Sequence, residues 1–558
     1  MKVTLAQLNY IIGQFEYNYK KIIESIEKNH NQTDIIVFSE LALSGYYMFD
    51  LLDDKSFFQK QNKFLNQLIE QSKNYHCAII IGAILENKNK GKPFFNGALV
   101  IYQGEVIYQY HKHLLPSYNI FNEPRHFQKG KTKPYFQFKD KTIGLLICED
   151  LWDQDKTQYE KTPLDALTEI NKSDHKLDFI LTLNSSPSEY EKQLRRFQLV
   201  SQLAKNTQSP VLYINQIGGY DEIVYDGASF VTNKNGELVD FLPSFKEEAK
   251  TINLNHLETK SYQFLDKNAL TLEQLKLGLR DYVHKCGFKD VVVSLSGGID
   301  SALTLVLATL ALGKENVTAI TMPSTYSSKG SVTDSEVLCQ NLGVTLFNRD
   351  IKEDYELSVK AFEASFKQNP SRLTKENMQA RIRGRVVMEY SNEFGLLAIS
   401  CGNKSELSVG YATLYGDMNG GINIIGDLYK TEVYELSNYI NEKYNLIPKN
   451  IITKAPSAEL SEGQKDSDSL PEYELLDAML KLSIEGDLLE KNEIKQLKKI
   501  ISKLNQNEII RILKLIDRAE FKRKQAPPII RIQKRSFGFG RVVPIAHQFM
   551  RDHWQIEG

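Results

Sequence analysis

The stretch Ser294-Leu295-Ser296-Gly297-Gly298-Ile299-Asp300-Ser301 decides the fold of the second half of the chain. Three consecutive valines (291–293) precede it and predict a short buried strand, and the apolar run 302–308 behind it predicts a helix. In a strand–turn–helix unit, free backbone N–H groups and the positive end of the helix dipole point at one spot. Two adjacent glycines let the backbone come close to a bulky anion. The stretch therefore predicts a phosphate-binding turn.

Three side chains of this turn suit a phosphate and its cation. Ser296 and Ser301 carry hydroxyl donors, and Asp300 offers the hard oxygen ligands that Mg²⁺ prefers. The absence of a following Gly-Lys-Ser/Thr excludes the kinase-type phosphate loop. The pattern resembles the loop of the ATP-pyrophosphatase (PP-loop) families, which grip the pyrophosphate lost when ATP adenylates a carboxylate or carbonyl. The alternative is a tight strand–helix turn that small residues close for packing reasons alone.

The composition is typical of a globular protein with two to four domains, since 558 residues include 42% hydrophobic and 25% charged residues. With 69 Lys plus Arg against 70 Asp plus Glu, the net charge of −1 gives no indication of nucleic-acid binding. The sequence has no leader-like start and no run of about 18 apolar residues, so it predicts neither export nor membrane insertion. Five scattered cysteines indicate a reducing compartment, so we expect a cytoplasmic protein. They are Cys77, Cys148, Cys286, Cys339 and Cys401.

Residues 1–254 alternate short strands with helices and predict a layered α/β sandwich. The predicted strands are 3–9, 34–40, 77–85, 97–102, 105–111, 142–148, 178–184, 211–215 and 228–232. The pairs Gly104-Glu105 and Asn235-Gly236 predict hairpin turns. The polar residues 255–271 are interpreted as a linker between this domain and the next.

From residue 272 to 558 a strand-then-helix rhythm predicts a doubly wound parallel sheet, whose ligand should lie at the carboxyl ends of the strands. The predicted strands are 291–295, 317–322, 345–350 and 396–401. Residues 454–470 form a long polar excursion, and such segments are commonly lids.

Three residues of the first half stand at or just past the ends of apolar strands: Glu40, Lys112 and Cys148. Strand ends on one edge of a sheet converge, so we expect a thiol, a carboxylate and an ammonium at one point. Glu40 can accept the thiol proton, and Lys112 can stabilise the thiolate and a developing oxyanion. A nearby cation is also expected to lower the pKa of the thiol. Taken singly, Cys148 could be a small core residue, and Glu40 with Lys112 a surface ion pair.

The segments around these residues resemble the three catalytic segments of the nitrilase (carbon–nitrogen hydrolase) superfamily. They are Glu40-Leu41-Ala42-Leu43-Ser44-Gly45-Tyr46, Lys112-His113-Leu114-Leu115-Pro116 and Cys148-Glu149-Asp150-Leu151-Trp152. The region after Lys112 is similar to the glutaminase domain of glutamine-dependent NAD synthetases through Tyr118, Phe121, Glu123, Arg125 and Phe127. This resemblance implies an αββα sandwich in which Tyr118, Ser186 and Lys192 bind glutamine.

Segments of the second half resemble the NAD synthetase domain of the same family in the same order. They include Asn377–Gly384, Gly402–Glu406, Tyr415–Asp417, Lys430-Thr431, Pro456–Leu460 and Lys522–Pro528. The resemblance implies a Rossmann-like ATP-pyrophosphatase domain that uses Mg²⁺ and ATP, with Asp300 and Glu406 at the metal. It assigns ATP to the loop 294–301 with Cys401 and Lys430, and deamido-NAD to Asn377, Glu406, Asp417 and Lys522. Because ATP and deamido-NAD both carry pyrophosphates, cations such as Lys404, Lys430 and Lys522 are expected around them.

The resemblance therefore implies an enzyme that takes glutamine, ATP and deamido-NAD, and the composition predicts no nucleic-acid or membrane partner. The family implies a homo-oligomer whose synthetase domains form a dimer. A PP-loop amidotransferase that acts on another carboxylate or carbonyl is the alternative, and a catalytically silent nucleotide sensor is a third reading. The intact set of Cys148, Glu40, Lys112, Asp300 and Glu406 argues against the sensor.

Overall fold

The computed structural model describes residues 1–154, 157–172, 176–457, 459–464, 466 and 470–549. The chain forms two compact units. The first comprises Met1–Gly218 with Val224–Leu265, and the second comprises Gly219–Ile223 with the chain from Asp266 onward. Within the described ranges, no helix combines the length and the apolar character that crossing a membrane requires.

Among the described residues up to 253, strands alternate with four α-helices. The helices are α1 (Phe15–Asn29), α2 (Lys55–Gln71), α3 (Pro163–Asn171) and α4 (Lys192–Thr207). The strands are β1 (Lys2–Gln7), β2 (Ile35–Val37), β3 (Ala78–Glu86), β4 (Phe94–Tyr102), β5 (Glu105–His111), β6 (Tyr135–Phe138), β7 (Lys141–Ile147), β8 (Phe179–Asn184), β9 (Val211–Asn215), β10 (Ile217–Tyr220), β11 (Ile223–Asp226), β12 (Phe230–Thr232), β13 (Leu238–Phe241) and β14 (Glu248–Asn253).

Two six-stranded sheets face each other in the first unit, in the orders β14-β1-β2-β3-β4-β5 and β13-β12-β9-β8-β7-β6. One core cluster joins their inner faces, with Val37 and Ile80 from one sheet against Leu145 and Leu181 from the other. Alternate residues such as Ile36 point outward, because successive side chains of a strand face opposite sides. This arrangement buries both faces of each sheet.

Helices cover the two outer faces. Ile22 and Ile26 of α1 and Leu65 and Leu68 of α2 pack on one sheet. Val200, Leu203 and Ala204 of α4 pack on the other sheet with Leu167 of α3. The spacing of these residues by three or four positions is that of an amphipathic helix face. The predicted αββα sandwich is therefore confirmed.

Both predicted hairpin turns of the first unit are confirmed. Strands β4 and β5 pair antiparallel across Gly104, and β12 and β13 pair antiparallel across Gly236. Both glycines adopt positive φ, at 86° and 76°. Several strands were not predicted, namely β6, β10, β11, β13 and β14. β14 alternates polar with apolar residues only weakly, and its pairing with β1, from Lys2↔Asn253 to Gln7↔Glu248, is a contact between the two ends of the unit.

The second unit is built on a five-stranded sheet with helices between its strands. The strands are β15 (Val291–Ser294), β16 (Val317–Thr321), β17 (Thr345–Asn348), β18 (Leu397–Ser400) and β19 (Ile422–Asn423). The helices are α5 (Lys267–Lys285), α6 (Ile299–Leu312), α7 (Lys329–Leu342), α8 (Lys352–Phe366), α9 (Arg372–Phe394), α10 (Lys404–Val409), α11 (Lys430–Tyr444), α12 (Lys449–Thr453), α13 (Tyr473–Glu485), α14 (Lys491–Ile501), α15 (Gln506–Arg518) and α16 (Glu520–Arg523). Helix α5 begins inside the stretch 255–271 that was interpreted as a linker.

All strand pairs of this sheet are parallel, in the order β17-β16-β15-β18-β19. The predicted doubly wound parallel sheet is confirmed. Strand β19 was not predicted, because a strand of two residues gives no recognisable pattern in the sequence. The chain leaves β15 toward β16 on one side and reaches β18 on the other. Such a reversal opens a crevice at the carboxyl ends of the strands.

Candidate functional site

The first unit places Glu40, Lys112 and Cys148 around one buried point. Lys112 Nζ lies 2.8 Å from Glu40 Oε1, and both side chains are fully shielded from solvent. Cys148 opens a short 3₁₀ helix at the end of β7 and is 8% exposed. Its φ of 42° puts the backbone in the left-handed region, a strained conformation that clusters at functional sites.

Close backbone approaches hold these residues in place. A Cβ atom on Gly82 of β3 would lie 2.3 Å from the backbone nitrogen of Leu41 and 2.6 Å from the carbonyl oxygen of Ser39. Only glycine therefore lets the segment that carries Glu40 lie on β3. The backbone N–H of Lys112 donates to the Asn96 carbonyl at 2.8 Å.

Burial controls the protonation of the cysteine. It raises the pKa of the Cys148 thiol well above its usual range, and Glu40 raises it further, while Lys112 opposes both. Lys112 thus acts on the pKa of the thiol in the expected direction, but desolvation outweighs this single cation. Burial alone would lower the pKa of Lys112, yet the carboxylates of Glu123 and Glu40 raise it well above the ordinary value. In the free protein the thiol keeps its proton and needs a base.

A second glutamate joins the site. Glu123 Oε1 lies 2.7 Å from Lys112 Nζ and accepts a 2.7 Å hydrogen bond from the hydroxyl of Tyr46. Burial raises the pKa of Glu123, and the negative charge of Glu40 adds to this. The sequence motif after Lys112 contained Glu123, but no role was assigned to it.

Two of the predicted glutamine-binding residues, Tyr118 and Lys192, contact side chains of the segment that follows Cys148. The hydroxyl of Tyr118 donates to both carboxylate oxygens of Glu149, at 3.1 and 2.9 Å. Lys192 Nζ lies 4.3 Å from the centre of the Trp152 ring. The hydroxyl oxygen of Ser186 accepts a 3.1 Å hydrogen bond from Arg196 Nε. Burial raises the pKa of Glu149 to about 7, which makes this carboxyl group a further candidate for substrate contact.

A cavity of about 450 Å³ lies at the carboxyl ends of the strands in the second unit. Every residue that the family resemblance assigned to ATP, deamido-NAD or the metal lines it. These are the loop residues Ser294, Leu295, Ser296, Gly297, Gly298, Ile299, Asp300 and Ser301, together with Asn377, Cys401, Glu406, Asp417, Lys430 and Lys522. Residues more than 200 positions apart in sequence thus surround one space.

The loop has the geometry of a phosphate cradle. Gly297 has a φ of 77°, and a Cβ atom there would lie 2.4 Å from the Ser331 carbonyl oxygen at the start of α7. The hydroxyl of Ser301 accepts from the backbone N–H of Ser296 at 3.2 Å and donates to the Gly298 carbonyl at 3.1 Å. Helix α6 begins directly behind the glycines, so its positive dipole end faces the cavity.

Lys430 links two of the acidic residues that line the cavity. Its Nζ binds Asp300 and lies 3.2 Å from Glu406 Oε1. The amide of Asn403 donates to Asp300 Oδ1 at 2.9 Å. Burial raises the pKa of Glu406 to about 7, although Lys430 opposes this, and the pKa of Lys430 lies above its usual range because of both carboxylates.

The other predicted residues line the opposite parts of the cavity. Lys522 Nζ donates to the carbonyls of Gly410 and Ala412, at 2.8 and 2.7 Å, and burial lowers its pKa. Asn377 Oδ1 accepts a 2.8 Å hydrogen bond from the Thr413 hydroxyl. The thiol of Cys401 donates to the Ser294 carbonyl over 3.8 Å, the weak contact expected of sulfur.

Lys404 does not face the phosphates, contrary to the expectation from the sequence. Its fully buried Nζ lies 2.9 Å from Asp427 Oδ1 and 3.0 Å from Glu485 Oε1, and it donates to the Arg535 carbonyl at 2.8 Å. Helix α10 turns this side chain away from the cavity that Glu406, two residues on, enters. Lys404 is therefore the centre of an internal ion cluster.

We expect Lys404→Met to destabilise the second unit by about 3–5 kcal/mol, because it leaves two buried carboxylates without their cation. Equilibrium urea unfolding of the full chain measures the effect. Lys73→Met is the matched control, since Lys73 pairs with Glu70 on the surface and such pairs contribute about 0–1 kcal/mol. Equal midpoints for the two variants would show that the buried cluster is not stabilising.

The predicted lid contributes to the cavity wall. Lys454, Glu459 and Asp466 belong to it, and residues 458, 465 and 467–469 lie outside the described residues. Lys454 Nζ lies 2.6 Å from Glu459 Oε1, which accepts from the hydroxyl of Ser331 at 2.9 Å. Arg383 also lines the cavity and donates to the Met322 carbonyl at 3.0 Å. Sequence reasoning assigned no role to Arg383 or Asp466.

Two family models match the chain. The model for carbon-nitrogen hydrolase matches residues 2–262, and the model for NAD synthase matches residues 271–526. A glutamine-dependent NAD(+) synthetase of Synechocystis sp. is 38% identical over 98% of this chain and 99% of its own length. The Thermotoga maritima protein of the same description is 35% identical, with the same coverage.

Solved structures show the same similarity. The glutamine-dependent NAD+ synthetase of Acinetobacter baumannii, in complex with ADP, is 37% identical, with a TM-score of 0.76 over 98% of each chain. The synthetase of Cytophaga hutchinsonii gives a TM-score of 0.80 at 19% identity and supports the fold alone.

Proposed function

This chain belongs to the glutamine-dependent NAD(+) synthetase family, and we propose that it forms NAD by amidating deamido-NAD with ATP and nitrogen from glutamine. The observation that carries the proposal is the cavity of the second unit, which collects every predicted ATP and deamido-NAD residue around one phosphate cradle. Ammonia is released from glutamine by the buried residues Glu40, Lys112 and Cys148. The products are NAD, AMP, pyrophosphate and glutamate.

The glutaminase step uses Cys148 as the nucleophile. Its sulfur attacks the amide carbon of glutamine, and Glu40 takes the thiol proton and delivers it to the leaving nitrogen as ammonia. Water then hydrolyses the thioester to glutamate. Lys112, held between Glu40 and Glu123, stabilises the negative charge that develops on the substrate oxygen. Tyr118, Ser186 and Lys192 bind the glutamine.

The synthetase step activates the pyridine carboxylate of deamido-NAD. A carboxylate oxygen attacks the α-phosphorus of ATP, and pyrophosphate leaves toward the N–H groups of the loop 294–301. Ammonia then attacks the acyl carbon of the adenylate, and AMP departs. Lys430 and Cys401 contact ATP, and Asn377, Glu406, Asp417 and Lys522 contact deamido-NAD. The ADP held by the Acinetobacter baumannii relative supports an adenine nucleotide here.

The residues of the cavity also fit Mg²⁺. Asp300 and Glu406 both face the ammonium of Lys430, and converging carboxylates are the hard oxygen donors that Mg²⁺ takes. Asp300 and Glu406 would hold the ion, which would neutralise phosphate charge as pyrophosphate departs. Lys430 would then be released from the carboxylates to contact a phosphate.

We propose a cytoplasmic homo-oligomer in which the synthetase domains pair. Large apolar side chains on β17, α8 and α9 support the pairing, because exposed apolar surface marks association sites. They are Phe347, Leu357, Phe366, Leu373 and Phe394, which are 47–68% exposed. The proposed domains are 1–254 for the glutaminase and 272–558 for the synthetase, joined by 255–271. Sedimentation velocity of the full chain tests the assembly, and a monomer at micromolar concentration would contradict it.

NAD formation by the purified full chain tests the function. ATP, deamido-NAD and Mg²⁺ are supplied with either glutamine or ammonium, and NAD, AMP and glutamate are quantified. With either nitrogen source, we expect one AMP to form for each NAD. Glutamate without NAD would preserve the glutaminase assignment but show that another carboxylate or carbonyl is the acceptor, which a panel of such compounds would then identify.

A further inference from the structure

Asn96 occupies the centre of the glutaminase site, although no sequence motif drew attention to it. It lies in β4 and is fully buried. Its side-chain Nδ2 donates to Glu40 Oε1 at 2.7 Å and lies 3.4 Å from Glu123 Oε2. Its backbone carbonyl accepts the N–H of Lys112 at 2.8 Å. One asparagine thus touches all three charged residues beneath Cys148.

The two glutamates present a problem of charge. Lys112 Nζ is almost equidistant from them, at 2.8 Å from Glu40 and 2.7 Å from Glu123. Two carboxylates and one ammonium leave a surplus negative charge in a sealed space, where like charges disfavour each other's ionisation. One carboxyl group therefore tends to hold a proton, and the proton must not rest on Glu40 if Glu40 is the base.

We propose that Asn96 is a positioning residue that directs the negative charge of this glutamate pair to Glu40. Hydrogen bonds from N–H donors favour the ionised form of a carboxyl group. Glu40 accepts hydrogen bonds from Lys112, from Asn96 and from the backbone N–H of Ser185, the last at 3.0 Å. Glu123 accepts hydrogen bonds from Lys112 and from the hydroxyl of Tyr46, whereas Asn96 lies only at the limit of hydrogen-bond distance from it. The asymmetry between the carboxyl groups thus depends on where the Asn96 amide points.

The sign of the pH effect follows from the groups that surround Glu40. The charged or ionisable groups that interact with Glu40 include Lys112, Glu123 and Cys148. The Tyr46 hydroxyl beside Glu123 is neutral, since burial raises its pKa far above the usual range. Loss of the Asn96 donor makes protonation of Glu40 easier. The acid limb of the pH profile should therefore move to higher pH.

Glutamine hydrolysis by the full chain tests this inference, which rests on the proposed glutaminase role of Glu40. We expect Asn96→Ala to lower kcat by about 10- to 100-fold, the effect of losing a hydrogen bond to a charged group. The midpoint of the acid limb of the kcat/KM profile should move to higher pH by about one unit. Asn96→Asp has nearly the same shape but adds a third carboxylate, so it should lose more activity. Asn96→Ser retains a shorter donor and should recover part of the rate.

Asn18→Ala is the matched control, because Asn18 is equally buried and donates only to the carbonyls of Ile11 and Leu43. It should lower the melting temperature without moving the pH profile. Ammonium-driven NAD formation, measured on every variant, reports whether the second unit has folded, and thermal unfolding reports on the first unit. An Asn96→Ala profile that stays in place, or an Asn96→Asp variant as active as wild type, would overturn the inference. Wild-type protein that does not hydrolyse glutamine would instead overturn the proposed function.

Discussion

Cys148→Ala should lose glutamine-driven NAD formation by at least about 10³-fold, the usual consequence of removing a nucleophile. Ammonium-driven formation should remain within about twofold of wild type, because the cavity of the second unit contains no part of this residue. The substitution removes only the sulfur atom of a side chain that is 8% exposed. The measurement is NAD formation with each nitrogen source at saturating ATP and deamido-NAD.

The ammonium reaction of the same variant serves as the folding control for the second unit, and thermal unfolding reports on the first. Loss of both reactions would indicate a misfolded chain, and Cys148→Ser, which nearly keeps the size and replaces the thiol with a hydroxyl, would then replace it in the assay. Retained glutamine-driven synthesis would show that another residue is the nucleophile. Cys77 is buried in the outer core of the first sheet and is not a substitute.

Asp300→Asn should lower NAD formation from both glutamine and ammonium by about 10²- to 10³-fold, because the carboxylate proposed to hold Mg²⁺ beside the departing pyrophosphate is lost. The side chain keeps its shape and its contact with Asn403, but it loses the carboxylate that faces Lys430. Glutamine hydrolysis should continue, since the Cys148 site lies in the first unit. Pyrophosphate release in the presence of deamido-NAD measures the affected step directly.

Asp350→Asn is the control for this substitution. Asp350 is exposed and accepts the backbone N–H of Lys352 at the start of α8, a role that asparagine fills equally well. It should leave every rate unchanged. An Asp300→Asn variant that releases pyrophosphate at the wild-type rate would remove Asp300 from the list of metal ligands.

Much of the second unit could be predicted from short stretches of sequence. The valines 291–293, the glycine turn and the apolar helix behind it are local signals, and the structure has β15, the turn and α6 in these positions. A βα unit places its turn at the carboxyl edge of a parallel sheet whatever the rest of the chain does. For this reason Asn377, Glu406 and Lys430, each near the start of a helix or strand end, line the same cavity.

Other features depend on residues that are distant in sequence. The polar pattern of β14 indicates no strand, yet six residue pairs with β1 complete the first sheet. Lys404 and Glu406 are two positions apart on α10, but one enters an internal ion cluster and the other the cavity. The helix rotates by roughly 200° between these positions, and only the packing of α10 decides which side faces the ligand.

By itself, the sequence predicted the two α/β architectures, the glycine turn and the candidates for reactive side chains, because these depend on local periodicity and on residue chemistry. The tertiary structure decided how those side chains are charged. Burial raises the pKa of the Cys148 thiol against the pull of Lys112, and Glu123 and Asn96 join Glu40 from separate parts of the chain. Desolvation and hydrogen bonding act through space, so no local pattern in the sequence encodes them.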